Sequence, residues 1–423
     1  MNSKMFLPVA FLATLSPSLG VALGQQPASS RLSYDVINLG TPLGGTFASA
    51  QTLSLQGFVA GYSNLTGDVA EHAVLWLPNG TKDLGTLGGP NSEVLGNLSG
   101  FSETATPDPL GQDFCLQGTH LTCQAITVVN QSEVALPTLG GTGGTAFGNN
   151  DLGQVVGESL TAIQDAGCLV GGQPQPPLYQ VQQGLPVVWQ NGKVNPLPLF
   201  SGDSDGFANG NNDLGQIVGS TGNCVTNPAA HGVLWSNGQV INLGTLGGAK
   251  NHQPVAINTL GQITGGSDLP GDQAQHAFLW QKGVMTDLGT LPGDTYSFGN
   301  SINNLGQVVG YSCDVNFNCS AVLWLNGGII DLNTLIPSDS TLVLNVAATI
   351  DDLGIIAGYA VDPNTYTDPA FVLFPNFGGF RQAPHRASTP RVAMSDSMRT
   401  QLQQRMKSRA ARRAGPGFGA SQQ

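Results

Sequence analysis

Residues 297–335 read SFGNSINNLGQVVGYSCDVNFNCSAVLWLNGGIIDLNTL, and they break into four short pieces, SFGNSINN, LGQVVGYS, CSAVLWLNG and GIIDLNTL. Apolar residues alternate within each piece, and Asn-Asn, Gly or Asn-Gly separates one from the next, which is the pattern of consecutive antiparallel strands joined by tight turns. The third piece recurs along the chain as HAVLW at Trp76, PVVWQNG at Trp189, HGVLWSNG at Trp235, HAFLWQKG at Trp280 and AVLWLNG at Trp324. Two degenerate copies put Val128 and Leu373 in the tryptophan slot, so the slots step by 52, 61, 46, 45, 44 and 49 residues. A period near 45 means that each unit stacks on its neighbours to bury its apolar face.

Four short strands per unit describe a propeller blade. Paired glycines four apart mark seven blades at Gly57/Gly61, Gly96/Gly100, Gly153/Gly157, Gly215/Gly219, Gly261/Gly265, Gly306/Gly310 and Gly354/Gly358. The first of each pair is expected in a turn needing positive φ, and the second inside a strand, where a missing side chain allows a bulge or close backbone approach. The seventh unit has VAATIDD, GIIAGYA and AFVLF but no fourth strand, whereas SYDVINLGTPLGG at 33–45 matches the fourth-strand phrases TKDLGTLGG and VINLGTLGG. The expected fold is therefore all-β, a seven-bladed β-propeller of four-stranded antiparallel blades over 33–377, whose N-terminal strand completes the last blade and closes the ring. The alternative is a β-solenoid, which has no reason for that permutation. In the second unit only seven residues separate Gly89 from Gly96, against 12 from Gly141 to Gly153, so a truncated innermost strand is expected there.

The phrases HAFLW, INNLGQVVG and DLGTLGG resemble the HAF repeats of bacterial extracellular proteins, named for His-Ala-Phe as at His276-Ala277-Phe278. The resemblance covers about 33–377 and implies a secreted repeat protein. It brings no catalytic residues. Some members are thought to end in an envelope-sorting helix, whereas this C-terminus has no apolar run.

Residues 1–24 carry one early cation, Lys4, an uncharged apolar run and the ending Ala22-Leu23-Gly24, the pattern of a secretory signal peptide, with a linker at 25–32. An uncleaved membrane anchor is the rival reading, against which stand Pro8 and Pro17. Export to the periplasm, cell surface or medium makes the six cysteines candidates for the disulfides Cys115–Cys123, Cys313–Cys319 and Cys168–Cys224. Zinc is disfavoured, since no CxxC occurs.

Charge is divided sharply. Residues 33–377 hold 26 acids against four lysines, a net of −22, while 378–423 hold nine Lys and Arg and one acid, a net of +8. An acidic body argues against nucleic acid as a partner. In the tail, Met394, Met398, Leu402, Met406 and Ala410 recur every fourth residue among arginines, which predicts a basic amphipathic helix near 395–414. A solvated tail, docking on the acidic body and contact with an anionic envelope surface are the three readings.

From the second glycine to the tryptophan slot the distances are 15, 28, 32, 16, 15, 14 and 15 residues, so two long loops, about 103–123 and 159–184, rise from the same face as the LGTLGG connections. Insertions on one face of a repeat protein often mark its binding side. That face also gathers Asp203, Asp205, Asp268, Asp272, Asp294 and Asp314. The sequence D-S-D-G at Asp203–Gly206 is a fragment of a calcium loop, with a solvated turn as the plainer alternative. Trp76, Trp189, Trp235, Trp280 and Trp324 are expected in the core between blades, and His72, His231 and His276, which share one register, in blade-edge hydrogen bonds. No GxSxG, HExxH or useful Cys-His spacing is present. The expectation is a non-catalytic binding or surface module for a glycan, peptide or protein, without a cofactor unless calcium binds. The alternative is a hydrolase or lyase acting on glycans or peptides with the carboxylates of this face.

Overall fold

The structure, a computed structural model, describes residues 32–54, 58–165, 169–170, 173–174, 181–224 and 227–376. The segment expected to be a signal peptide, all but Leu32 of the expected linker, and the basic tail with its candidate helix lie outside the described residues. Seven four-stranded antiparallel sheets stand around a ring. Their innermost strands are Gly44–Leu53, Gly88–Gly96, Gly140–Asn149, Asp205–Asn211, His252–Ile257, Tyr296–Ile302 and Val343–Ile350. Each touches the next, and the last touches the first.

Closure follows the sequence expectation. Tyr34–Gly40 pairs antiparallel with Ala370–Pro375, in the register Tyr34 to Pro375 and Val36 to Leu373, as the fourth strand of blade seven. Tyr34 is buried among Leu332, Leu344, Phe371 and Leu373. Its N–H donates to the Leu335 carbonyl at 2.9 Å. A solenoid would leave these strands apart.

The tryptophans fill the seams between blades. Trp76 packs on Ala357, Ala370 and Val372 of blade seven, Trp235 on Val156 and Val188 of blade three, and Trp324 on Ala277 of blade five. Three of the indoles donate to the end of the preceding blade's fourth strand or the connection after it: Trp76 to Leu39 O (3.2 Å), Trp189 to Pro137 O (2.7 Å) and Trp235 to Pro198 O (2.7 Å). Val128 and Leu373 are buried in the same slot.

Five of the seven glycine pairs divide into the two roles expected; Gly57 lies outside the described residues, and Gly96 departs from the pattern. Gly153, Gly215, Gly261, Gly306 and Gly354 have φ between 71° and 78°. The second glycine abuts the innermost strand in every blade: a Cβ at Gly61, Gly100, Gly157, Gly219, Gly265, Gly310 or Gly358 would overlap the carbonyl oxygen of Ser49, Glu93, Thr145, Phe207, Gln253, Phe298 or Val346 respectively. Beside each contact the pairing register slips, as at Pro254/Ala256 in blade five, so close approach and β-bulge occur together.

Blade two corrects the sequence reading. Its innermost strand, Gly88–Gly96, has nine residues and is not truncated. The turn is what shortened: Asn97 (φ 40°) and Leu98 (φ 61°) alone join it to the second strand, and Gly96 belongs to the first strand rather than to the turn.

A belt of asparagines ties the blades together at these turns. Asn97 Nδ2 donates to Asn149 O, Asn150 to Asn212 O, Asn212 to Asn258 O, Asn258 to Asn303 O and Asn303 to Asp351 O, at 2.8–2.9 Å. From Asn150 to Asn303 the same side chain also holds its own turn, as Asn258 Oδ1 accepts from the Leu260 and Gln262 N–H groups. Asn258→Ala would strip four bonds from a buried site, and a loss of about 2–3 kcal/mol is expected in equilibrium denaturation. A loss below about 0.5 kcal/mol would mean the belt adds nothing to the ring.

Candidate functional site on the insertion face

The insertions and the innermost-strand entries share one face, and the two are stitched together. Asp68 of a blade-one turn accepts from Thr46 N (2.7 Å) and Thr46 Oγ1 (2.8 Å), and Asp272, at the matching turn of blade five, accepts from Ala249 N (2.7 Å). Asp272 is therefore a bracket between two loops. Asp294 accepts from Ser312 Oγ at 2.7 Å, and Asp314 folds the Cys313–Cys319 turn by accepting from the N–H groups of Asn316 and Asn318.

Asp203 and Asp205 do not converge. Asp203 ends a turn, its N–H donating to Phe200 O at 3.1 Å. Its carboxylate meets Thr221 Oγ1 and, at 2.9 Å, His231 Nδ1. Asp205, the first residue of its strand, turns to the seam with blade three, where it accepts from Gly184 N (3.0 Å) and Ser204 Oγ. Among the described residues no group of three or more His, Cys, Asp or Glu could hold a metal.

The histidines make the edge contacts expected of them. His72 Nδ1 lies 2.9 and 3.0 Å from the Asp83 carboxylate, and His276 Nδ1 lies 3.0 Å from both oxygens of Asp287. In blade four the strand position of Asp83 and Asp287 is Asn242, and His231 pairs with Asp203 instead.

Insertions from two blades interlock. Gln112 Oε1 accepts from Val181 N (2.7 Å) and Gln182 N (3.1 Å), while its Nε2 donates to Gln182 Oε1 (3.1 Å) and Thr142 Oγ1 (2.9 Å). Gln117 reaches Glu71 of blade one at 2.8 Å. The Cys115–Cys123 disulfide (Cα–Cα 5.6 Å) pins this insertion over Phe101 and Phe147, and Cys313–Cys319 (4.0 Å) pins the blade-six turn. Cys224 is buried and disulfide-bonded, while Cys168, its expected partner, lies outside the described residues.

Two carboxyl groups that sequence reading passed over lie beside Asp205. Burial, and then the hydrogen bond that the protonated group makes to Asp165, push Asp205 up to about 7. Burial and the Asp205 charge push Glu158 up to about 8. Comparison of blades offers a signal for Glu158, since the residue after the second glycine is Tyr62, Phe101, Ser220, Gly266, Tyr311 and Tyr359 elsewhere. Asp268 is also raised, to about 7, by burial, with Asn251 Nδ2 donating to it at 2.9 Å. Under the blade-two insertion Glu103 is raised by burial and takes a hydrogen bond from Asn91 at 2.7 Å.

These shifts have a pH consequence. Asp205 and Asp268 keep protons in the folded state that they release near pH 4 when unfolded, so their contribution is complete at low pH and is lost as pH rises through about 7. His252, lowered to about 4 by burial, opposes this only up to its unfolded value near 6.5. Stability should therefore fall between pH 6.5 and 8.5, by about 1 kcal/mol for each aspartate. Thermal melts of the protein and of the Asp205→Asn/Asp268→Asn double variant check this: the variant's profile should be flatter, and equal slopes would refute the assignment.

A cavity of about 240 Å³ occupies the central channel, lined by the far ends of the innermost strands, including Leu53, Phe147, Ile257, Ile302 and Ile350. It opens at the asparagine belt, away from the insertions. Two disulfides fit an oxidising compartment. Among the described residues no helix is long and apolar enough to cross a membrane.

No family model and no curated protein matches the sequence. Solved structures similar to the chain are propellers. The β-propeller domain of the Trilobed protease from Pyrococcus furiosus is 12% identical, with 67% of this chain and 81% of that one covered and a TM-score of 0.44. A gluconolactonase from Xanthomonas campestris is 10% identical (82% and 99%, TM-score 0.34), and Aleuria aurantia lectin is 8% identical (80% and 96%, TM-score 0.34). Likeness at this level concerns the fold alone.

Proposed function

We propose that the chain is an exported, non-catalytic binding or surface-interaction module that presents a glycan, peptide or protein ligand to the insertion face. The observation that carries this reading is the Gln112 knot: the insertion of blade two is locked onto blade three and reaches blade one, giving a pre-ordered surface that loses little entropy on binding. The HAF-like repeat phrases and the signal-like N-terminus agree with export. The net charge of −22 over 33–377 favours cationic ligands over nucleic acid. Screening the protein on glycan and peptide arrays, with and without calcium, tests the reading. Binding should survive Asp203→Asn and fall at least tenfold when Gln112→Ala loosens the platform; binding indifferent to Gln112 would refute it.

A second reading, hydrolysis or lyase chemistry, has one observation in its favour. Burial and a hydrogen bond to Asp165 raise Asp205 to about 7, the range a carboxyl needs to donate a proton at neutral pH. Turnover of any array member that Asp205→Asn abolishes would replace the binding module with an enzyme.

A further inference from the structure

Leu152, Leu214, Leu260, Leu305 and Leu353 occupy one position, the turn after the innermost strand, in blades three to seven, and they are 58, 68, 67, 70 and 64% exposed. Single exposed leucines are ordinary, but five in one register around one channel mouth form a patch. The turns are held rigid, since Leu214, Leu260 and Leu305 each donate their N–H to the belt asparagine two residues earlier, at 3.0–3.1 Å. The same turns carry Asp151, Asp213, Asp351 and Asp352 and no Lys or Arg. Lys193 and Lys282 of this face stand farther out, on the outermost strand or the turn into it.

The described chain ends here. Ala370–Pro375 runs toward this face, and Pro375 lies against Gly354, the residue after Leu353. The residues that follow have a net charge of +8 and bear Met394, Met398, Leu402, Met406 and Ala410 at every fourth position. We propose that this basic tail docks on the leucine crown of its own propeller, apolar stripe on leucines and arginines toward the turn aspartates. Reach is ample: residues 377–393 span up to roughly 55 Å when extended, and a helix over 395–414 would be about 30 Å long. Tethering places the tail at an effective concentration near millimolar, which favours it over a second copy at micromolar protein.

Hydrogen exchange on the full chain tests the proposal from both sides. In the wild type, peptides covering 394–410 and the turns at 212–216, 258–262 and 303–307 should be protected. Leu402→Glu/Met406→Glu should speed exchange at those turns at least tenfold and leave the insertion face unchanged; Leu214→Glu/Leu260→Glu/Leu305→Glu should free the tail to the same extent. Tail peptides that exchange freely in the wild type would overturn the proposal. So would protection that scales with protein concentration alongside a doubled mass in light scattering, which assigns the crown to a second copy. Protection that appears only on adding phosphatidylglycerol vesicles would assign the tail to a membrane and overturn it too.

Discussion

Gly265→Ala should yield little or no folded protein, a loss of 4 kcal/mol or more, while Gly261→Ala four residues earlier in the same blade should cost about 1–2 kcal/mol. The two glycines look alike in sequence, but their constraints differ. At Gly261 the φ of 72° is the obstacle, and the space around a Cβ is open except for the Gln216 side chain at 3.6 Å. An alanine there accepts left-handed strain and nothing more. At Gly265 the backbone is ordinary, but a Cβ would sit inside the Gln253 carbonyl group and against Pro254 Cα. Relief would require the second strand to leave the innermost strand, and with it the paired bonds that join His252–Ile257 to Ile263–Asp268. Urea denaturation of both variants measures the difference. Equal midpoints would mean that the second glycine is a turn-former like the first, and that the bulge is not what selects it.

Most of the ring was legible because its determinants are local and repeated. Alternation, Asn-Gly turns and the tryptophan phrase specify strands, and the displaced SYDVINLG segment specifies how the ring closes. Blade two was misjudged because counting from Gly89 to Gly96 assumes that Gly96 lies in the turn; a two-residue turn of Asn97 and Leu98 lets a full strand occupy those residues. The asparagine belt was invisible for a different reason. Asn258 reads as a turn residue, and so it is, but its donor crosses to a carbonyl 45 residues away that only stacking brings within 2.9 Å.

The candidate site was less legible. Asp203 and Asp205, two apart, suggested carboxylates converging on one cation, which holds only if the chain between them curls around an ion. Here Asp203 closes a turn on Phe200 and Asp205 starts a strand, and the bend sends one carboxylate to His231 and the other across the seam toward Gly184. Asp272 was likewise placed among the carboxylates of the binding face, whereas it brackets two loops, as its matching residue Asp68 does in blade one. Asp165 and Glu158 went unnoticed because neither sits in a motif; their chemistry comes from a neighbour one blade away.

Removing Tyr34–Gly40 should abolish cooperative unfolding and soluble yield, and a peptide of residues 33–43 added in trans should restore both. The strand is short, yet it supplies the outer edge of blade seven and the only described covering for Ala370–Pro375 on that side. Without it, that strand exposes unpaired backbone groups, a template for aggregation. The core opens as well, because Tyr34 is 1% exposed and its phenol, driven up to about 12 by burial, has no place in water-accessible packing. Tyr34→Ala alone should therefore cost about 3–5 kcal/mol, the range for emptying a large aromatic site. Exposed Ile37, on the outer side of the same strand, separates pairing from packing: Ile37→Thr keeps the backbone ladder and should cost under about 0.5 kcal/mol. Were the shortened chain to unfold at the wild-type midpoint, the fourth strand of blade seven would contribute nothing to stability, and blades one and seven would be held by their seam, where Trp76 packs on Val372, Phe47 on Tyr359, and Ala48 N donates to Asp368 O.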